Sequence, residues 1–123
     1  MNDRFETGLE RRKAVLGADY VQRNLDAADD LTRPFQEAMT EWCWGFGWGD
    51  DALDPRTRSL MNLAMLGAMG LTAEWKVHCR GALTNGCTRE EIRAAIHIVG
   101  IYAGVPRALE CFRAAREVLE EAR

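Results

Sequence analysis

Apolar residues recur at intervals of three and four along most of the chain, which is the spacing that places side chains on one face of an α-helix. A clear example follows Pro34, where four residues are separated by steps of four, three and four: Phe35, Met39, Trp42 and Phe46. No segment of strand length alternates apolar and polar residues between turn signals. The pattern therefore predicts an all-α protein with six or seven helices.

Glycine and proline predict where the helices of the first half begin and end. Gly17 is expected to end the first helix, a short second helix is predicted over residues 19–28, and a third begins at Pro34. Three closely spaced glycines are expected to break this third helix into a loop: Gly45, Gly47 and Gly49.

Four further helices are predicted over residues 55–70, 73–85, 89–103 and from 106 onward. Pro55 suits a first helical position because its missing amide proton costs nothing there. Thr88 and Glu91 form an S/T-x-x-E capping box at the start of the third of these helices. The last helix is expected to bury a stripe of three residues: Leu109, Phe112 and Leu119.

Two helical segments, residues 59–70 and 94–103, are apolar almost all round. One small domain seldom needs so much apolar surface, so these helices are expected to be buried in a subunit interface as well as in the core. The sequence therefore predicts a homo-oligomer.

The size and charge of the chain exclude several classes of protein. With 123 residues, the chain is expected to form a single domain over 1–123. A net charge of -3 argues against binding to nucleic acid. The charged start of the chain is unlike a secretory signal, and the longest uncharged run, residues 59–73, is too short to span a bilayer. We expect a soluble cytoplasmic protein with no membrane partner.

The four cysteines do not have the spacing of a metal or redox site, because no two are separated by two residues: Cys43, Cys79, Cys87 and Cys111. No metal is expected, and the thiols are expected to be reduced.

Several polar residues are candidates for chemistry. His78 follows Glu74 by one helical turn, so the two side chains are either a proton-transfer pair or a structural pair. Glu37 precedes Glu41 by one turn, where solvated charge is the ordinary explanation. His97 lies among apolar neighbours, which favours a packed or interface histidine.

Aromatic residues and one arginine are candidates for ligand binding. Trp42, Trp44 and Trp48 crowd a short segment, and they form either the wall of a pocket for a planar ligand or a hydrophobic contact. Arg58 borders an apolar run, and a buried arginine needs an anionic partner, which is a neighbouring carboxylate or a ligand.

Several segments, in register over nearly the whole chain, resemble the 4-carboxymuconolactone decarboxylase family. They are GLERRKAVLGADYV at 8–21, the pair Trp44-Gly45 with Trp48, RTRSL at 56–60, WKVHCRGA at 75–82, NGCTREEI at 85–92 and IYAGVP at 101–106. The resemblance implies the helical fold shared with alkylhydroperoxidase D proteins, a homo-oligomer of trimers or hexamers, and no cofactor.

The resemblance also implies a reaction, the decarboxylation of 4-carboxymuconolactone or a related carboxylated butenolide in the β-ketoadipate pathway of aromatic compound degradation. The substrate would act as its own electron sink, because the electrons left by CO2 delocalise into the lactone carbonyl. We expect catalysis by His78, Arg58, Glu37 and Glu74. Substrate binding is expected from Trp44, Trp48 and Arg12.

Two departures from related proteins affect this interpretation. The peroxidase branch carries C-x-x-C-x-x-x-H, and its cysteine positions fall here on Leu71 and Glu74, so thiol peroxidase chemistry is not expected. The decarboxylases typically show Arg-Pro-Gly where this chain has Asp50-Asp51-Ala52, and two anions there would oppose a dianionic substrate. The alternatives are therefore a changed lactone or keto-acid substrate, or a helical oligomer without catalytic activity.

Overall fold

The computed structural model describes residues 3–122, and every regular element within that range is helical. The order is α1 (Asp3–Leu16), α2 (Ala18–Ala27), α3 (Arg33–Met39), a π-helix (Thr40–Gly47), α4 (Pro55–Met69), α5 (Thr72–Thr84), α6 (Arg89–Ala103) and α7 (Val105–Glu121). The predicted all-α class is confirmed. Across residues 3–122, none of the helices combines the length and apolar character that a bilayer crossing requires.

The chain divides into two compact units, Met1–Asp54 and Pro55–Arg123. The first contains α1, α2, α3 and the π-helix, and the second contains α4 to α7. The expectation that residues 1–123 form a single domain stays a prediction.

In the first unit, α1 and the π-helix approach each other closely because two glycines leave room for the backbone. A Cβ atom on Gly8 would collide with the backbone oxygen of Thr40, and one on Gly45 would collide with the backbone oxygen of Arg4. A larger residue at either position would force the two helices apart.

The predicted loop after residue 44 is wrong, because the chain stays helical to Gly47. The helix widens instead of ending, and the amide of Trp48 donates to the oxygen of Cys43 at 3.0 Å, which is the i→i+5 pattern of a π-helix. Gly45 serves the close approach to α1 and does not end the helix.

The widened helix also changes which residues are buried. The predicted stripe is largely on the surface, with Phe35, Trp42 and Phe46 exposed. Residues at steps of four face inward instead: Thr40, Trp44 and Trp48. Trp42 and Phe46 stack on each other outside, with ring centroids 4.8 Å apart.

In the second unit, α4 to α7 surround one hydrophobic core. Its largest fully buried side chains include Leu63, Trp75, Ile92 and Ile96. The Trp75 indole Nε1 donates to the oxygen of Leu63 at 2.9 Å, so the one polar atom of this ring is satisfied inside the core.

The helix ends of the second unit follow their local signals. The Thr88 hydroxyl accepts from the amide of Glu91 at 3.1 Å, and the Glu91 carboxylate accepts from the amide of Thr88 at 2.8 Å, so the predicted capping box is confirmed. Gly104 has a φ of 104°, a conformation that favours glycine, and ends α6 as predicted.

The predicted buried stripe of α7 is wrong in two of its three members. Leu109 and Phe112 are 48% and 38% exposed. The inward face carries smaller residues: Ala108, Cys111, Ala114, Ala115 and Val118. Small side chains let α7 lie close to α5 and α6, with which it packs.

Gly8→Ala is expected to lower the free energy of unfolding by about 1–2 kcal/mol, because overpacking against the Thr40 backbone outweighs the roughly 1 kcal/mol that alanine gains in a helix. Gly47→Ala is the control, since the nearest atom to a Cβ there is 4.0 Å away, and it is expected to be neutral or stabilising. Urea unfolding followed by circular dichroism measures both changes. Equal effects of the two substitutions would contradict the close approach.

Candidate functional site

The residues predicted to bind substrate or act in catalysis fall in both units. The first unit contains Arg12, Glu37, Trp44 and Trp48, and the second contains Arg58, Glu74 and His78.

Arg12 is the most deeply buried charged side chain of the first unit, with 3% of its surface exposed. Its Nη1 donates to the Thr40 hydroxyl at 3.2 Å, and that hydroxyl donates to the backbone oxygen of Gln36 at 2.7 Å. Thr40 is fully buried. Residues of α1, α3 and the π-helix therefore hold the guanidinium in one orientation.

The guanidinium of Arg12 is buried without a carboxylate partner among residues 3–122. Burial lowers its pKa, and nearby Tyr20 and Cys43 oppose that shift only in part. Its Nε has no hydrogen-bond acceptor within the described chain. Arginine stays charged in proteins, and a buried charge is costly unless it is paired. An anion next to this guanidinium would therefore lower the cost of burying its charge.

Two stacked indoles share the interior of the first unit. Trp44 and Trp48 are 3% and 6% exposed, and their ring centroids are 4.9 Å apart. They form a hydrophobic cluster with Val15, which follows Arg12 by three residues on α1. The structure thus places the indole pair and the buried guanidinium on neighbouring parts of the same helix contact.

Glu37 does not belong to this buried group. It is exposed on α3, and its carboxylate makes no hydrogen bond or ion pair with another described residue. In this structure Glu37 is therefore a solvent-exposed charge, and its part in proton transfer stays a prediction.

His78 is half-buried on α5, and its Nδ1 lies 3.4 Å from the amide nitrogen of Asn62 on α4. In the neutral tautomer that carries its proton on Nε2, Nδ1 accepts from this amide. Burial lowers the pKa of His78, and the charge of exposed Glu74 opposes this shift only in part. The environment therefore favours the neutral imidazole, with Nε2–H as a donor.

Arg58 is half-buried and precedes Asn62 by one turn of α4, so the two residues share a helix face. Since Asn62 contacts His78, this face of α4 points toward the imidazole. Asn62 was not among the predicted site residues, although a polar residue inside the apolar run 59–70 was a signal for it.

Thr40 was also missed as a functional residue. It lies between Met39 and Glu41, at a spacing of four from Gln36 and Trp44. A hydroxyl at that position is explained by the guanidinium that it binds.

The acidic loop after Trp48 is partly neutralised within the first unit. Asp51 forms an ion pair with Arg11 at 2.9 Å, and Asp50 accepts from the amide of Ala52 at 2.9 Å. Asp50 thus shapes the turn, while the charge of Asp51 is balanced by half-buried Arg11.

The surroundings of His97 and of three cysteines bear on which reactions this chain can perform. His97 is exposed within this chain, so of the two predicted positions, packed or at an interface, only the interface position stays a prediction; its ring centroid lies 6.2 Å from that of Phe112. Burial raises the pKa of Cys79 to about 12 and also raises the pKa values of Cys43 and Cys111. These three thiols lack the lowered pKa of a reactive nucleophile. No cluster of metal-ligating side chains occurs in the described part of the chain.

His78→Gln is expected to weaken the dependence of stability on pH. Because burial lowers the pKa of His78 in the folded state, the unfolded chain binds this proton more readily, and the free energy of unfolding falls as the pH decreases from about 7 to 5. The glutamine variant loses that contribution. Urea unfolding at several pH values measures it, with His97→Gln, which removes an exposed imidazole, as the control. Parallel curves for His78→Gln and the wild type would contradict the burial argument.

Comparison with known proteins identifies the family. Residues 33–117 match the model of the carboxymuconolactone decarboxylase family. The chain is 38% identical over 117 residues to nitrosuccinic acid decarboxylase npaB of Metarhizium robertsii, covering 95% of this chain and 82% of the relative. It is 36% identical over 123 residues to 4-carboxymuconolactone decarboxylase of Acinetobacter baylyi, covering 98% and 92%. The chain belongs to the carboxymuconolactone decarboxylase family.

Proposed function

We propose that this protein is a carboxy-lyase that removes CO2 from a small substrate bearing more than one carboxylate. The observation that carries the proposal is the buried guanidinium of Arg12, which has no carboxylate partner within residues 3–122. An anionic substrate supplies that partner, and two relatives that align along nearly the whole chain are named decarboxylases.

The leading substrate is 4-carboxymuconolactone or a related carboxylated butenolide. The bond between the ring carbon and its carboxylate breaks, CO2 leaves, and the electron pair delocalises through the ring alkene into the lactone carbonyl. One proton then adds to carbon and gives the enol-lactone. The substrate holds the electrons itself, so no resident cofactor is required.

A second candidate is a nitro-substituted dicarboxylic acid, favoured by the 38% identity to a nitrosuccinic acid decarboxylase. In nitrosuccinic acid, the carbon next to one carboxylate bears the nitro group. Loss of CO2 leaves an electron pair that the nitro oxygens accept, and a proton then adds to the same carbon. Both candidates lose CO2 next to a group that accepts the electrons.

In the first unit, Arg12 is proposed to bind a substrate carboxylate that the reaction leaves intact. Its guanidinium is oriented by Thr40, so little freedom is lost on binding. Trp44 and Trp48 are proposed to form an apolar wall and to exclude water, which strengthens the charge interaction.

In the second unit, His78 is proposed to donate a hydrogen bond from Nε2 to the oxygen on which negative charge develops. The lowered pKa and the Asn62 contact support a neutral imidazole donor. Glu74 would tune that imidazole through its charge. Arg58 is proposed to bind a carboxylate or the oxyanion, and Glu37 is retained as a second proton-transfer candidate.

The assembly is proposed to be a homo-oligomer, a trimer or a hexamer, working in the cytoplasm in aromatic compound degradation. The support is an exposed apolar surface on α4, α6 and the start of α7. Its six large side chains are each 47–84% exposed: Met61, Met65, Ile98, Ile101, Tyr102 and Val105. A second copy of the chain would cover this surface.

Arg12→Met is expected to lower kcat/KM for CO2 release from 4-carboxymuconolactone by roughly 10- to 200-fold. This factor corresponds to the loss of one hydrogen bond between charged groups in the transition state. The free energy of unfolding is expected to stay the same or rise, since a buried charge is removed. Nitrosuccinic acid is assayed in parallel to decide between the two substrates.

Arg11→Met is the matched control, because Arg11 is the neighbouring, half-buried arginine and pairs only with Asp51 among the described residues. It is expected to change kcat/KM by less than about threefold. Full activity of Arg12→Met would remove Arg12 from substrate binding. Absence of CO2 release from both acids by the wild type would favour the non-catalytic oligomer.

Ile98→Glu is expected to dissociate the oligomer, because a charge would be buried at the contact between copies. Leu31→Glu is the control, since Leu31 is also apolar and is 84% exposed outside this surface. Sedimentation velocity measures both. A monomeric wild type, or an Ile98→Glu variant that assembles like it, would contradict the proposed interface.

A further inference from the structure

A groove between α6 and α7 in the second unit has a volume of about 360 Å³, within the usual range for small-molecule sites. It lies on the side of α6 opposite to the exposed apolar surface, because α6 presents Arg89 and Arg93 to the groove and Ile98 to the other side. None of its lining residues belongs to the groups proposed above for decarboxylation.

Three arginines line the groove. Arg89 and Arg93 are one turn apart on α6, and Arg116 faces them from α7. All three are exposed, and none forms an ion pair with another residue in the range 3–122. One carboxylate, that of Glu120, also lines the groove, so the described lining carries an excess of positive charge.

The lack of acidic partners distinguishes these arginines from three cations of the second unit that pair across helices. Three ion pairs link helices elsewhere: Arg56 with Glu91, Lys76 with Glu117, and Arg80 with Glu121. The same helices that provide these acids, α6 and α7, thus leave the groove cations unpaired.

The groove has an apolar base and largely polar walls. Ile92 and Ile96 are each 1% exposed and form its floor, and the ring of Phe112 is 38% exposed along one side. A floor of this kind accommodates an apolar ligand body, and an exposed aromatic ring provides a face for stacking.

We propose that the groove between α6 and α7 binds a small carboxylate with an apolar ring, the ring against Phe112, Ile92 and Ile96 and the carboxylate on the arginines. Guanidinium forks match carboxylate oxygens in pairs, and two arginines of α6 with one of α7 approach an anion from facing helices. This site is separate from the proposed decarboxylation chemistry.

Isothermal titration calorimetry with 2-naphthoate and 2-naphthamide tests the proposal on the full chain. The two probes have the same ring, and only 2-naphthoate carries the charge. 2-Naphthoate is expected to bind with one site per chain and at least roughly tenfold more tightly than 2-naphthamide. Methyl NMR is expected to show shifts at Ile92, Ile96 and Leu119 on binding.

The double variant Arg93→Gln with Arg116→Gln is expected to weaken 2-naphthoate binding at least roughly tenfold while retaining its activity. Arg113→Gln is the control, because Arg113 is an exposed arginine of α7 outside the groove. It is expected to bind like the wild type. Arg12→Met is expected to keep the groove binding even where decarboxylation is lost, so the two proposals fail independently.

Equal affinity for the two probes would overturn the proposal, because apolar contact alone would then explain binding. Unchanged 2-naphthoate affinity in the double variant would also overturn it. The proposal would also be overturned if the methyl shifts were confined to residues outside the groove. The same holds if a second copy in the oligomer covers the groove and its methyl groups do not respond to the probe.

Discussion

The close contact between α1 and the π-helix is the constraint on which the first unit depends. Gly8 and Gly45 are required at this contact because a Cβ atom at either position would strike the opposite backbone. The resulting short separation buries the Thr40 hydroxyl beside α1, where it binds the guanidinium of Arg12. The π-helix supports the same arrangement, since its wider turn keeps Thr40 and the two stacked indoles on one side. The close approach of the two backbones thus determines the orientation of the Arg12 guanidinium.

A buried cation without an acidic neighbour is an expensive feature for a small protein to keep. In the second unit, three cations form ion pairs with carboxylates of a neighbouring helix: Arg56, Lys76 and Arg80. These pairs lie near the surface, where a charge is not costly. Arg12 is different because its nearest described partner is a neutral hydroxyl. An enzyme that binds acids can tolerate such a cost, since the ligand restores the missing charge. The neutral imidazole favoured for His78 differs from this guanidinium in charge. Arg12 is suited to hold a permanent positive charge, and His78 is suited to donate a hydrogen bond without a charge.

Local signals were sufficient for most helix ends but not for the faces that the helices bury. The capping pair of Thr88 and Glu91 and the glycine at 104 act within a few residues, so the sequence alone predicted them correctly. The continuation of the helix through Gly45 depends on α1, which is more than thirty residues distant. Which face of α7 is buried depends on how near the neighbouring helices lie. Because they lie close, small residues are buried there, and Leu109 and Phe112 stay exposed. Asn62 and Thr40 were missed because their roles arise from side chains that only the fold brings to them.

The segment matched by the family model starts at residue 33, whereas the helix that bears Gly8 and Arg12 ends at Leu16. Arg12 therefore lies outside the segment that the family model matches, although both decarboxylase relatives align with nearly the whole chain. The surroundings of this guanidinium are formed by buried residues of the first unit, whereas α4 to α7 enclose a core of their own. A substitution on α1 can therefore change what surrounds the guanidinium while the composition of the second core stays the same.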